Sequence, residues 1–222
     1  YSLLIKPIEQ IIKDKETLCI IPDGKLNYLP FQALQNKQGK YLIEEYAVYY
    51  TPSLSSLSWL RLMGTLGGRE LLVFGNCKFS EKETLTAMRG ELIPLPATAE
   101  EVKALENVYK PKVKALTGSD ATESNFKKYS SDYGVIHLAT HALVNEASPM
   151  YSSIVFSKED GEDGFLEARE IIQMELNADL AVLSACKTAF GKQIAGEGML
   201  GLTRAFFTAG VPSVVASLWN VE

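Results

Sequence analysis

Seven short apolar runs, separated by stretches of helical spacing, constrain this chain more than any other feature of its sequence. They are TLCIIPDG (17–24), EYAVYYTP (45–52), ELLVFGN (70–76), YGVIHLATH (133–141), SSIVFS (152–157), ADLAVLSAC (178–186) and VPSVVASLW (211–219). Several are apolar at both parities. A strand with one buried face alternates apolar and polar residues; a strand apolar at every position is buried on both faces, as in a parallel sheet covered by helices. The intervening segments supply those helices. Ser2–Lys13 repeats apolar residues at helical spacing, Ser53–Leu66 opens on a serine suited to an N-cap, and Thr98–Tyr109 opens with Thr98 and Glu101 at capping-box spacing. Thr122–Tyr129, Glu167–Glu175 and Gly198–Ala209 follow. Strands alternating with helices predict an α/β domain with a mostly parallel sheet.

Composition bounds the function. A chain of 222 residues, 46% hydrophobic, buries a core without disulfide staples. Its net charge of −5, with no Lys/Arg-rich block, argues against direct nucleic-acid binding. The three cysteines, Cys19, Cys77 and Cys186, form no CxxC pair, so neither a disulfide framework nor a zinc ribbon is expected, and a reducing cytoplasm is the natural setting. No apolar run reaches membrane-spanning length, and no solenoid repeat is visible. The acidic stretch SKEDGEDG (157–164) reads as a solvated loop, with attraction of a basic substrate a minor alternative. The chain opens on YSLL and stops at SLWNVE, just after an apolar strand, so a continuation is expected.

ADLAVLSACKTAFG (178–191) carries the chemistry. An apolar run ends by delivering Cys186 into a turn of small residues, Ser184 and Ala185 before it and Gly191 beyond. Both histidines, His137 and His141, lie in one other run. If the two runs are parallel neighbours, His141 and Cys186 meet beyond the carboxyl ends of the strands, where open α/β sheets bind ligands. A free thiol is only a few per cent thiolate at neutral pH. A nearby imidazole takes its proton and later gives one to a leaving amine. Small neighbours let a substrate backbone approach, and a turn aims backbone N–H groups at a developing oxyanion. Other readings stand beside this one. Cys19 and Cys77 read as small core residues, and His137 as a core histidine with its hydrogen bonds satisfied. A metal held by His137, His141 and Cys186 lacks a fourth ligand.

Taken together, VIHLATHA, DGFLEAREI, ADLAVLSACKTAFG and GEGMLGLTRAFFTAGVPSVVASLWNVE resemble the CHAT domain family, caspase-like cysteine peptidases in the same broad clan as separase, caspases and gingipains. LCIIPDGKLNYLPFQAL, YLIEEYAVYYTPSLSSL and LLVFGN are similar to the family's opening blocks, so the likeness covers residues 1–222. It implies a caspase-like α/β/α sandwich with a mostly parallel central sheet, in which a degenerate caspase-like half (1–112) precedes an active half (113–222). By the family pattern, His141 matches the catalytic histidine and Cys186 the nucleophile. The backbone N–H groups of residue 142 and Cys186 would line the oxyanion hole. Family members usually carry Gly at the first of these, where this chain has Ala142; alanine keeps the N–H but restricts the dihedrals. Ser184, Glu197 and Trp219 are candidates for the substrate pocket, Glu197 alternatively fixing a loop and Trp219 alternatively packing the last strand.

The resemblance implies a cysteine endopeptidase acting on a protein substrate without metal or organic cofactor. It further implies gating by tetratricopeptide repeats or by an effector complex, in cis or in trans, in a setting such as bacterial defence. The family's closing segment after LWNV is absent, which agrees with a partial chain. Two other readings remain: a catalytically silent CHAT scaffold that binds a partner through the same cleft, and an α/β ligand-binding domain, which lacks the expected Gly-rich phosphate loop.

Overall fold

The computed structural model describes residues 1–63, 68–79, 92, 94–145, 147–184, 187–189 and 197–217. Two compact units divide the chain, Tyr1–Leu62 and Met63–Glu222.

In the first unit, strands β1 (Thr17–Ile20) and β2 (Ala47–Tyr50) pair in parallel, from Thr17 opposite Ala47 to Ile20 opposite Tyr50. Its core is small: Ile5, Ile12, Phe31, Leu42 and Tyr46. The helix expected over Ser2–Lys13 shrinks to a 3-10 turn at Lys6–Ile8 that runs into α1 (Glu9–Ile12). Pro7 has no N–H with which to bond a preceding helical turn, so the helix starts late. Helix α2 (Leu54–Met63) forms as expected, with the Ser56 N–H donating to Ser53 Oγ at 3.0 Å.

The second unit holds the parallel sheet. In chain order it runs β3 (Leu71–Cys77), α3 (Ala97–Tyr109), β4 (Val113–Gly118), α4 (Glu123–Tyr129) and β5 (Val135–Ala139). Strands β6 (Ala142–Val144), β7 (Ser153–Val155) and β8 (Phe165–Glu167) follow, then α5 (Ala168–Ile171). The unit closes with β9 (Leu180–Leu183), β10 (Lys187–Ala189), α6 (Glu197–Thr208) and β11 (Val214–Ala216). Five strands pair in the order β11-β9-β5-β3-β4, every neighbour parallel. The other four form a smaller sheet, β10-β6-β7-β8. The chain starts in β3, steps out to β4 and returns to β5 on the far side. Strand order therefore reverses at β3/β5, which opens a crevice over the carboxyl ends.

Both faces of β3 are buried, as its unbroken apolar run requires. Leu72 and Phe74 join a core with Phe126, Ile136, Leu138, Phe156 and Phe206. Leu71 and Val73 meet Val102 of α3, with Leu105 and Tyr109 packed beside them. The rings of Phe74, Phe126 and Phe156 stack at centroid distances of 5.3 to 5.8 Å.

All seven expected strands form among the described residues. Strands β4, β6, β8 and β10 were not legible as separate elements: β4 lies at the sheet edge and is interrupted by Lys114, while β6 follows directly on the β5 run and joins the other sheet. The division expected at 112/113 does not match the compact units, which part after Leu62. A cut at 112 would sever β3 from β4 and from β5, and β3 pairs with both.

The expected Thr98–Glu101 capping box does not form. Pro96 already has helical dihedrals (φ −63°, ψ −30°), so α3 begins ahead of Thr98. Thr98 Oγ1 instead donates to the Leu95 carbonyl at 2.6 Å and accepts from the Asn76 N–H at 2.8 Å, tying α3 to the end of β3. Thr98→Val keeps the shape and removes both bonds. The expected cost is about 1–2 kcal/mol, measured as a shift in the urea midpoint at unchanged m-value.

Candidate active site

Two segments run side by side through both sheets of the second unit. In the parallel sheet β5 pairs with β9, Leu138 opposite Leu183. In the smaller sheet β6 pairs in parallel with β10, Ala142 opposite Lys187. The offset is 45 residues in both pairings (183 − 138 and 187 − 142). Each segment leaves one ladder at the carboxyl edge and enters the other a few residues later. His141 lies in the first of these short crossings.

The crossing at His141 is tied to β7. The Val155 N–H donates to the His141 carbonyl at 2.9 Å, and Thr140 Oγ1 donates to the Val155 carbonyl at 2.5 Å. His141 is 1% exposed, and its ring lies against Phe79, with centroids 5.3 Å apart and planes inclined by 54°. Ala142 is fully buried and stands opposite Ile154. Hydrogen-bonded and non-bonded pairs alternate along an antiparallel ladder. His141 and Val155 make a bonded pair, so Ala142 and Ile154 make the next, non-bonded one. The Ala142 N–H and C=O therefore face the opposite edge, toward β10.

Ser184 follows β9 directly and is half-buried. Glu197 is the first residue of α6; its side chain, like Cys186 and Trp219 as a whole, lies outside the described residues. His137 does not join His141. It faces α3 from within β5, and its Nε2 is 2.7 Å from Glu101 Oε1. This is the satisfied core histidine expected from sequence. Cys77 is buried, with Sγ 3.8 Å from the Ala121 carbonyl. Burial pushes its thiol up, against smaller contrary effects of hydrogen bonds from Thr140 and Ser157. It is protonated at neutral pH and a poor nucleophile.

The acidic stretch is only partly the solvated loop expected. Glu159 Oε1 accepts from the Ser124 N–H at 3.0 Å, in the first turn of α4. Hydrogen bonding to Ser124 holds its carboxyl below the usual range, against a small effect of burial. Glu162 binds Lys127 at 3.0 Å, as do Glu123 at 2.7 Å and Glu170 at 3.0 Å. Glu123, Glu162 and Glu170 lie close enough to share a metal ion, but the Lys127 ammonium already stands among them. Burial raises the Glu123 carboxyl, with Lys127 acting in the opposite direction. For Lys127, burial alone would lower the pKa; hydrogen bonds to the three carboxylates outweigh it and raise it.

Sequence reasoning missed Phe79. Its only signal is an aromatic two residues beyond the end of a strand, which by itself points to core packing.

The family profile described as CHAT domain matches residues 1–222. Among curated proteins, the chain is similar to Tetratricopeptide repeat protein 28 of Homo sapiens, 24% identical over 274 aligned residues. It is also similar to the protein of that name from Mus musculus, 26% identical over 270. All of this chain is covered in both alignments, but only 11% of either relative. Among the described residues no helix is long and apolar enough to cross a membrane. With a match across its whole length, over a mostly parallel α/β sheet whose strand order reverses beside β5, the chain belongs to the CHAT domain family.

Proposed function

We propose that the chain is a cysteine endopeptidase whose nucleophile is Cys186 and whose general base and acid is His141. The observation that carries this reading is the shared register. β5 pairs with β9 and β6 with β10 at one offset, and that offset also relates His141 to Cys186 along the chain. From the last pair of one ladder to the first pair of the other, both segments span the same number of residues; His141 falls in the first span, and by sequence position Cys186 falls in the second.

The chemistry balances without a cofactor. His141 takes the Cys186 thiol proton. The thiolate sulfur bonds to the scissile carbonyl carbon, and the carbonyl π electrons move onto oxygen. The backbone N–H of Cys186 is the proposed donor to that oxyanion; the second donor implied by the family pattern, the Ala142 N–H, faces the β10 ladder. Collapse of the intermediate breaks the C–N bond, and His141 protonates the departing amine. Water, deprotonated by His141, then cleaves the thioester and regenerates Cys186. Ser184, Glu197 and Trp219 remain the candidates for contacts with substrate side chains.

We assign the gating to tetratricopeptide repeats, in keeping with the name of the curated relatives, and the setting to a reducing cytoplasm, in keeping with unpaired Cys19 and Cys77. The test is mass-spectrometric cleavage profiling on a diverse peptide library, with the wild type beside Cys186→Ala. Cuts made by the wild type and lost in the variant are expected. A folded wild type that makes no cuts, with or without a repeat partner, would favour the silent scaffold instead.

A further inference from the structure

We infer that Phe79 is a positioning residue for His141, and that the bulged end of β3 is the device that delivers it. The inference rests on the dyad reading above and adds to it a residue that neither the family pattern nor the sequence motifs single out.

The end of β3 is irregular where regularity would be easier. Gly75 still faces Ala139 of β5 in register, but the pairing with β4 shifts between Gly75 and Cys77. Asn76 between them has φ +50°, a left-handed conformation that non-glycine residues adopt rarely. Bulges of this kind re-aim a strand and occur beside functional sites. Such strain persists only where the surroundings over-determine it, and here they do. The Asn76 N–H donates to Thr98 Oγ1 at 2.8 Å, before the chain turns. The Lys78 N–H donates to Ser157 Oγ at 2.8 Å, after it. Ser157 is itself fixed: buried, its hydroxyl donates to the Gly118 carbonyl at 2.7 Å and its N–H to the Ala121 carbonyl at 2.9 Å. Gly75 permits the close approach of α3 that this requires, since a Cβ there would lie 2.7 Å from Val102 Cγ2 and 3.2 Å from the Thr98 carbonyl.

The product of these restraints is the placement of the next residue, Phe79. Its ring meets the His141 imidazole, and it also packs against the cluster of Leu92, Leu143 and Val155. Val155 is the residue that holds the His141 carbonyl and the Thr140 hydroxyl. Phe79 thus leans on both the ring and the strand that anchors it. A phenyl ring packed at 54° against the imidazole fills the space on that side and restricts rotation of the imidazole. An aliphatic chain of similar volume lacks the rigid ring that makes this contact.

The test uses alkylation of Cys186 by iodoacetamide, followed by peptide mass spectrometry, because thiolate formation needs no substrate. His141→Gln is expected to slow it. Phe79→Leu is expected to slow it about tenfold through misplacement of the imidazole, and Phe79→Tyr to restore it. Alkylation of Cys19 should not change among the variants. A spectroscopic signature separates positioning from general loosening. The chain has two histidines, so its spectrum shows two imidazole Cε1–H signals, assigned with His141→Gln. In Phe79→Leu the His141 signal should lose its ring-current shift while the His137 signal stays in place. If His141→Gln slows alkylation and Phe79→Leu does not, the inference fails and the dyad stands. If His141→Gln leaves the rate unchanged, the dyad reading fails and takes the inference with it.

Discussion

His141→Gln should lower kcat for peptide cleavage by about 10³- to 10⁴-fold, and Cys186→Ala by at least as much. The two residues act as one unit, so the double variant should be no slower than the weaker single one. Without the imidazole the thiol stays protonated and the departing amine receives no proton; without the sulfur there is nothing to attack the carbonyl. Glutamine is the better replacement at position 141. The side chain is fully enclosed against Phe79, and alanine would leave a cavity that confuses lost chemistry with lost packing. Steady-state kinetics on the best library-derived peptide, with circular dichroism to check the fold, measure the effect. Wild-type kcat in His141→Gln would exclude His141 as the base.

The second large effect concerns stability. Lys127 Nζ holds Glu123, Glu162 and Glu170 together, and so ties α4 to the β7–β8 loop and to α5. Lys127→Met keeps most of the side-chain volume and removes the charge. Three carboxylates then face one another, with Glu123 only 1% exposed. Removing one partner of a fully buried pair costs about 3–5 kcal/mol, and the partial exposure of Lys127, Glu162 and Glu170 reduces this to about 2–3 kcal/mol at neutral pH.

The pH dependence has a definite sign. Burial already raises the Glu123 carboxyl above its unfolded value, and loss of Lys127 raises it further. A carboxyl with a raised folded pKa binds more protons in the folded state, so the variant loses stability as pH rises from the unfolded Glu value through the raised one. Lys127 keeps its charge throughout this range in the wild type, because its own pKa is raised. The gap between wild type and variant should therefore widen between about pH 4.3 and neutrality. Urea titrations at both ends measure it, and a constant gap would mean that the cluster is not electrostatically coupled.

Much of this architecture was legible because burial on both faces leaves a plain mark. The β3, β5 and β9 runs carry apolar residues at both parities, and parallel pairing followed from that. The position of His141 at the end of its run was equally readable. Less readable was whatever depends on edges and exchanges of partner. β4 carries Lys114 within its run, as an edge strand tolerates. Thr98 and Glu101 look like a capping box, but tertiary partners claim both, Asn76 for the first and His137 for the second. Sequence spacing records local hydrogen bonds well and distant competitors for the same atoms not at all. Phe79 illustrates the same limit: its contact with His141 depends on a bulge, and a bulge is fixed by α3 and Ser157 rather than by its own residues.

The crossing at residues 140–141 has a further consequence. A ladder bond breaks in solution when its sheet frays locally, and edges fray first. The β5–β6 crossing is interior to both sheets: β5 lies between β3 and β9, and β6 lies between β7 and β10. Releasing His141 would mean opening two sheets at once, at a free energy near that of unfolding the whole unit. The floor of the cleft is therefore effectively immobile on the timescale of turnover, and the motions available for admitting or refusing a substrate belong to its rim.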